Sequence, residues 1–288
     1  MASRATFQAY RGEQVDIGGR RLRVVRAGSP SDAPMIVFEC GAFGCAADWA
    51  VVQDRLAVQG LSSLAYDRAG LGYSDPGPTP RDGHAIAADL ELLLRHLGIE
   101  GPLLMVGHSM AGLLLRVFIG RNQDRVAGLV LVDAVTPETI ENPAAARAIA
   151  GFQGALNLVG RYAGLGFMRP VAWVVGDKIG LEGEASKEKR HIYGLASHAR
   201  WAAEEVSQWG PTSRQGRNIG NYPPDLPVAV VSAGAVPMSA ALKSLQAAPA
   251  RASRKGYVRD IQGAGHANLL GTKFADPIIE GIHHALSA

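Results

Sequence analysis

The chain reads as an α/β fold, with a mainly parallel sheet of roughly eight strands flanked by helices and a helical cap inserted after the sixth strand. Three observations predict it. Short apolar runs without polar alternation, at 34–39, 61–66, 103–106, 126–132 and 228–231, look like strands buried on both faces. Stretches of helical spacing separate them, and strand–helix alternation favours parallel pairing through right-handed crossovers. The helix-rich segment 137–224 is too long for a simple connection.

Taken in order, residues 15–25 form two strands around the Gly18-Gly19 turn, an antiparallel edge to the sheet. Strand 34–39 runs into the small-residue loop Cys40-Gly41-Ala42-Phe43-Gly44-Cys45, then a helix carrying Trp49, Val52 and Leu56. Strand 61–66 leads into Asp67-Arg68-Ala69-Gly70-Leu71-Gly72-Tyr73-Ser74-Asp75. Its glycines do not make a dinucleotide loop, because Asp75 holds the last place of G-x-G-x-x-G. Asp67 and Arg68 are expected to tie this loop to backbone groups. Ile86, Leu90, Leu93, Leu94 and Leu97 mark an amphipathic helix. Beyond strand 126–132 and the cap come strand 228–231, a helix near 240–246, strand 257–261, the loop Gly263-Ala264-Gly265-His266 and a final helix over 276–286. The core is therefore 1–136 with 225–288, and the cap is 137–224.

Bulk properties exclude several functions. The 288 residues are 47% hydrophobic and 19% charged, enough for a large core and little disorder. A formal charge of +3 with scattered basic residues argues against nucleic acid, and the densest run, Lys187-Glu188-Lys189-Arg190-His191, reads as a solvated helix face. Two cysteines, Cys40 and Cys45, are too few for a disulfide framework or a zinc site, so free thiols in a reducing compartment are expected. Residues 1–10 hold no apolar core of a signal peptide, and no apolar run approaches the roughly 20 residues of a membrane span. A soluble, cytoplasmic protein with no membrane partner, no metal and no cofactor is expected.

The chemistry centres on Gly107-His108-Ser109-Met110-Ala111-Gly112, where an apolar strand turns sharply into an apolar helix with one serine at the apex. Such a turn aims a hydroxyl away from the backbone, and it requires small neighbours so that strand and helix can pack closely. Gly107 meets that need; Ala111 stands where glycine is usual, with Gly112 one place late. A serine hydroxyl needs a base, and the base needs a carboxylate to hold its tautomer. Ser109, Asp133 and His266 each follow a strand end and so share one rim of a parallel sheet, where ligands bind. His266 is the best base, lying in a glycine-rich loop after the last strand. His96, His283 and His284 sit in helix patterns, His108 is expected to point away across the elbow, and His191 and His198 belong to the cap. The stretch 231–238 contains no acid, so Asp133 is taken as the triad carboxylate, with Asp260 as the alternative. The amides of Met110 and Ala42 are the expected oxyanion donors.

These motifs together resemble the α/β-hydrolase fold family, in its serine esterase or lipase-like branch. Gly107 to Gly112 looks like the family's nucleophile elbow, Asp67 to Ser74 like its strand-four loop, and Cys40-Gly41-Ala42 like its oxyanion loop, with Cys40 in place of histidine. Gly265-His266 is similar to the terminal histidine motif, and Leu129-Val130-Leu131-Val132-Asp133 to the acid-bearing strand of some subgroups. The resemblance implies a carboxylic-ester hydrolase acting through an acyl-enzyme, and the apolar and aromatic content of the cap suggests a medium-sized apolar or aromatic small-molecule ester as substrate. Lactonase, amidase, carbon–carbon hydrolase and acyltransferase chemistry use the same constellation, and a ligand-binding protein with little turnover is the reading from another class. Serine at the elbow argues against haloalkane dehalogenase and epoxide hydrolase chemistry.

Overall fold

In the computed structural model, which describes residues 11–141, 143–234 and 240–288, eight strands form a single sheet in the order β1-β2-β4-β3-β5-β6-β7-β8. The strands are β1 (Glu13–Asp16), β2 (Arg21–Ala27), β3 (Met35–Glu39), β4 (Ser63–Tyr66), β5 (Leu103–His108), β6 (Val126–Val132), β7 (Val228–Ala233) and β8 (Gly256–Ile261). β2 runs antiparallel to both β1 and β4, and all other pairings are parallel. The β1–β2 hairpin closes because Gly18 and Gly19 adopt positive φ, while Asp16 Oδ1 accepts from both their amides at 2.8 and 3.1 Å.

Strand periodicity sends alternate residues to two cores. Ile36, Phe38, Leu104 and Val106 pack with Trp49 and with Leu56 of α1 (Ala50–Val58) and Ile278 and Ile282 of α11 (Asp276–Ser287). Val37, Leu103 and Met105 face Leu90 and Leu94 of α2 (Gly83–His96) and Phe118 of α3 (Ala111–Arg121). α2 starts where Asp82 caps it, its side chain accepting from the Ala85 amide at 3.0 Å. The central strand β5 is buried along its whole length, and each such large aliphatic side chain contributes about 1.5–3 kcal/mol.

Between β6 and β7 lie α4 (Pro137–Ile140), α5 (Pro143–Gly164), α6 (Met168–Val175), α7 (Gly183–Tyr193), α8 (Ala196–Ser207) and α9 (Trp209–Ile219), and α10 (Ala240–Ala252) follows β7. α5 packs on α8, and α9 on α3. Among the described residues no helix is long and apolar enough to cross a membrane. Residues 1–10, and 235–238 of the acid-free stretch after β7, lie outside the described residues.

One expectation fails here. The charged run at 187–191 is not a solvated face: Glu188 and Lys189 are buried, pairing with Arg23 and Asp48 at 2.6 and 2.7 Å. Their side of α7 is pressed against the sheet-end loops, and only opposite charges already buried there make that possible. Lys187, on the outer side, is exposed and pairs with Glu184.

Candidate active site

Ser109 sits between β5 and α3 with φ +57°, a backbone conformation strained for serine. Its surroundings hold it there. The Ser109 amide donates to Val132 O at 3.1 Å, and its carbonyl accepts from Val135 N at 3.0 Å. A methyl group on Gly107 would lie 2.6 Å from Leu115 and 2.9 Å from the Ala111 Cβ, so alanine fits at 111 because 107 has no side chain. The glycine one place later is needed too, since a methyl group on Gly112 would lie 2.1 Å from the Val135 carbonyl. The three non-glycine residues at positive φ among those described are Phe43, Ser109 and Asp133, and all three stand at this rim. Strain gathered in one place is a mark of a functional site.

The structure brings Ser109, His266 and Asp133 together. His266 Nε2 lies 3.0 Å from Ser109 Oγ, and Nδ1 lies 2.6 Å from Asp133 Oδ2. An ionised carboxylate only accepts, so Nδ1 carries the proton and Nε2 offers its lone pair to the serine hydroxyl. Asp133 is anchored by its amide to Val231 O at 2.7 Å, and its other oxygen accepts from the Ala233 amide at 3.2 Å. Burial alone would raise its carboxyl, but His266 and the Ala233 amide together hold it below the ordinary aspartate value. The alternative acid, Asp260, pairs with Lys243, whereas His266 is paired with Asp133.

The loop after β3 lies over the serine. A methyl group on Gly41 would stand 3.0 Å from Ser109 Cβ and 3.1 Å from His108 Nδ1. The Ala42 and Met110 amides have no backbone acceptor among the described residues. Arg68 braces this loop from below, donating to Cys40 O at 2.6 Å and Gly41 O at 3.0 Å. The same guanidinium pairs with Glu39 at 2.6 Å and Glu205 at 2.7 Å, all three side chains nearly inaccessible. Asp67 secures the neighbouring turns through the Ala46 and Tyr73 amides at 2.7 and 3.0 Å. The backbone role expected of Asp67 and Arg68 is present, but the ion pairs were not foreseen. Glu39, an acid closing an otherwise apolar strand, was the available signal that a buried cation lay nearby.

His108 does not point away. Its ring packs on His266 with centroids 4.5 Å apart, and Nε2 lies 2.9 Å from the His266 carbonyl. A carbonyl only accepts, so Nε2 bears the proton. Burial, reinforced by the neighbouring His266, pushes the His108 pKa down to about 3 and keeps the ring neutral. The elbow turns at Ser109 itself, so the side chain one residue earlier stays on the rim. His198 of α8 is likewise buried and neutral, driven to about 3 first by burial and then by Lys189. It accepts from Gly72 N at 3.0 Å and faces the Phe43 carbonyl at 3.2 Å, so it ties two loops together and does not line the cavity. Both thiols are buried, with Cys40 Sγ directed at the Cys45 carbonyl, and burial pushes both pKa values up.

Ser109 and His266 open into a cavity of about 240 Å³, whose apolar wall includes Phe43, Phe152, Ile179, Tyr193 and Leu270. Phe152, Ile179 and Tyr193 come from the segment between β6 and β7, so those helices shape the space above the serine.

Residues 34–159 match the family model of the alpha/beta hydrolase fold. Among curated proteins, an AB hydrolase superfamily protein of Gibberella zeae is 34% identical over 110 residues, covering 37% of this chain. The chain spans only about a third of that relative's length (34%). Among solved structures, a thermophilic esterase from Thermogutta terrifontis superposes over 95% of this chain and 98% of its own, with TM-score 0.64 and 19% identity. A variant of the Vigna radiata epoxide hydrolase superposes over 96% and 98%, with TM-score 0.70 and 15% identity. Similar in sequence over residues 34–159 and in architecture along nearly its whole length, the chain has the α/β-hydrolase fold.

Proposed function

We propose that the protein is a serine hydrolase of carboxylic esters, with Ser109 as nucleophile, His266 as general base and acid, and Asp133 as the group that orients the imidazole. The observation that carries this reading is the continuous chain of contacts, 3.0 Å from Ser109 to His266 and 2.6 Å from His266 to Asp133, at the floor of an apolar cavity. As Oγ attacks an ester carbonyl, its proton passes to His266 Nε2, and the oxyanion is received by the Ala42 and Met110 amides. His266 returns the proton to the departing alcohol, leaving an acyl-serine. A water then loses its proton to the same nitrogen and attacks the acyl carbonyl; the bond to Oγ breaks, and His266 gives that proton to Oγ, releasing the acid and restoring the serine. The apolar wall suits a medium-sized acyl or alcohol group, and the helices between β6 and β7 act as its cap.

Serine at the elbow supports acyl chemistry over the carboxylate-nucleophile chemistry of epoxide opening. A fluorophosphonate probe with p-nitrophenyl esters of graded length tests the reading. The wild type should label at Ser109 and turn over, Ser109→Ala should do neither, and Asp133→Asn should fold but lose roughly 10⁴ in turnover while Asp260→Asn stays near wild type. A wild-type protein that neither labels nor turns over any ester would overturn it.

A further inference from the structure

Among the described residues, nine of the eleven large hydrophobic side chains that stand exposed fall between residues 152 and 175, on α5, α6 and the turn joining them. Leu158 and Tyr162, four residues apart, share one face of α5. Leu165 and Phe167, 70% and 64% exposed, form the tip of the turn, and Trp173 and Val174 continue the surface along α6. A patch of this kind on a soluble fold marks a contact surface.

Its charge narrows the partner. Residues 143–176 contain Arg147, Arg161 and Arg169 and no Asp or Glu. Arg147 and Arg161 are exposed, while the nearest following acid, Asp177, has both oxygens turned to the Ile179, Gly180 and Leu181 amides. A second copy meeting this patch through a two-fold axis would bring arginine onto arginine. A protein partner would need a groove shaped to a convex helix–turn–helix. A lipid surface needs no matching shape: it accepts the aliphatic tip, takes Tyr and Trp at headgroup level and offers phosphate to the arginines.

We propose that the α5–α6 hairpin docks on an anionic lipid–water interface, with Leu165 and Phe167 inserted at the tip. This is surface contact and does not require a membrane span. The docking stands apart from the hydrolase reading, although Phe152 and Gly176, at the two ends of the patch, also line the cavity over Ser109. Apolar molecules leaving the lipid would therefore enter beside the serine.

The test is flotation of the full chain with vesicles of phosphatidylcholine alone or mixed with phosphatidylglycerol, at low and high salt, beside Ser109→Ala and a Leu165→Asp/Val174→Asp double variant. Wild type and Ser109→Ala should float with anionic vesicles, more weakly at high salt, whatever the outcome of the hydrolase assays. The double variant should bind about a hundredfold more weakly, at roughly tenfold per side chain, and keep wild-type turnover of a water-soluble ester. Turnover guards against misfolding, with circular dichroism in its place if no ester is cleaved. No flotation by the wild type, flotation indifferent to lipid charge, full binding by the double variant, or a wild-type dimer that the double variant abolishes would each overturn the proposal.

Discussion

Two halves of the helical segment between β6 and β7 invert the usual relation between polarity and burial. α7 and α8 contain its most charged sequence, yet they face inward. Glu188 meets Arg23, Lys189 meets Asp48 and Glu205 meets Arg68, every one of these six side chains at 10% exposure or less. α5 and α6 contain its most apolar sequence, yet they present Leu158, Tyr162 and Trp173 to solvent. One half is welded to the loops that carry the site, and the other is held mainly where α5 lies on α8. The contrast suggests a division of labour, with buried charge fixing the floor and walls near Ser109 while an apolar hairpin stays free to meet something outside.

The largest effect should come from breaking the weld at its centre. Arg68→Met leaves Glu39 and Glu205 buried without a cation and removes both hydrogen bonds to the Cys40 and Gly41 carbonyls. A loss of about 3–5 kcal/mol is expected, seen as a drop of order ten degrees in thermal unfolding. Slower fluorophosphonate labelling should accompany it as the loop over Ser109 loosens. A variant with the wild-type melting temperature would show that this half is held by packing alone.

A smaller effect, with a defined sign, belongs to Glu188. Burial pushes its carboxyl up to about 7 despite the opposing pull of Arg23. A carboxyl raised in the folded state binds its proton more tightly there. Its contribution to stability is complete below the ordinary glutamate value and is lost as pH rises through about 7. Glu188→Gln does not titrate, so the wild type should lose melting temperature relative to it between pH 5 and 7.5. Parallel curves would contradict the assignment. The smallest effect should follow Leu158→Ser or Val174→Ser, each within about 0.5 kcal/mol of wild type in urea unfolding. A loss of 2 kcal/mol or more would mean that these side chains are covered, and the two halves would then not differ as described.

Much of this was legible in the residues. The five apolar runs give β3 to β7 because only a strand buried on both faces needs uninterrupted hydrophobicity. The glycines around Ser109 announce a turn too tight for side chains. Ser109, Asp133 and His266 could be placed on one rim because each follows a strand, and strands that run parallel end on the same side. The orientation of His108 was not legible, since its partner His266 lies far away in the sequence and only the folded elbow brings the two rings together. The charged run at 187–191 was misread for a related reason: its partners Arg23 and Asp48 lie more than a hundred residues away in the sequence.

By itself the sequence determined the layered α/β architecture, the turn that presents Ser109 and the three side chains that converge there, because these follow from local periodicity and chain direction. Only the tertiary structure decided which charges are buried, which histidines are kept neutral and which apolar face is left uncovered. Those outcomes depend on pairing between distant segments, where the cost of removing a charge from water is offset only if an opposite charge arrives at the same place.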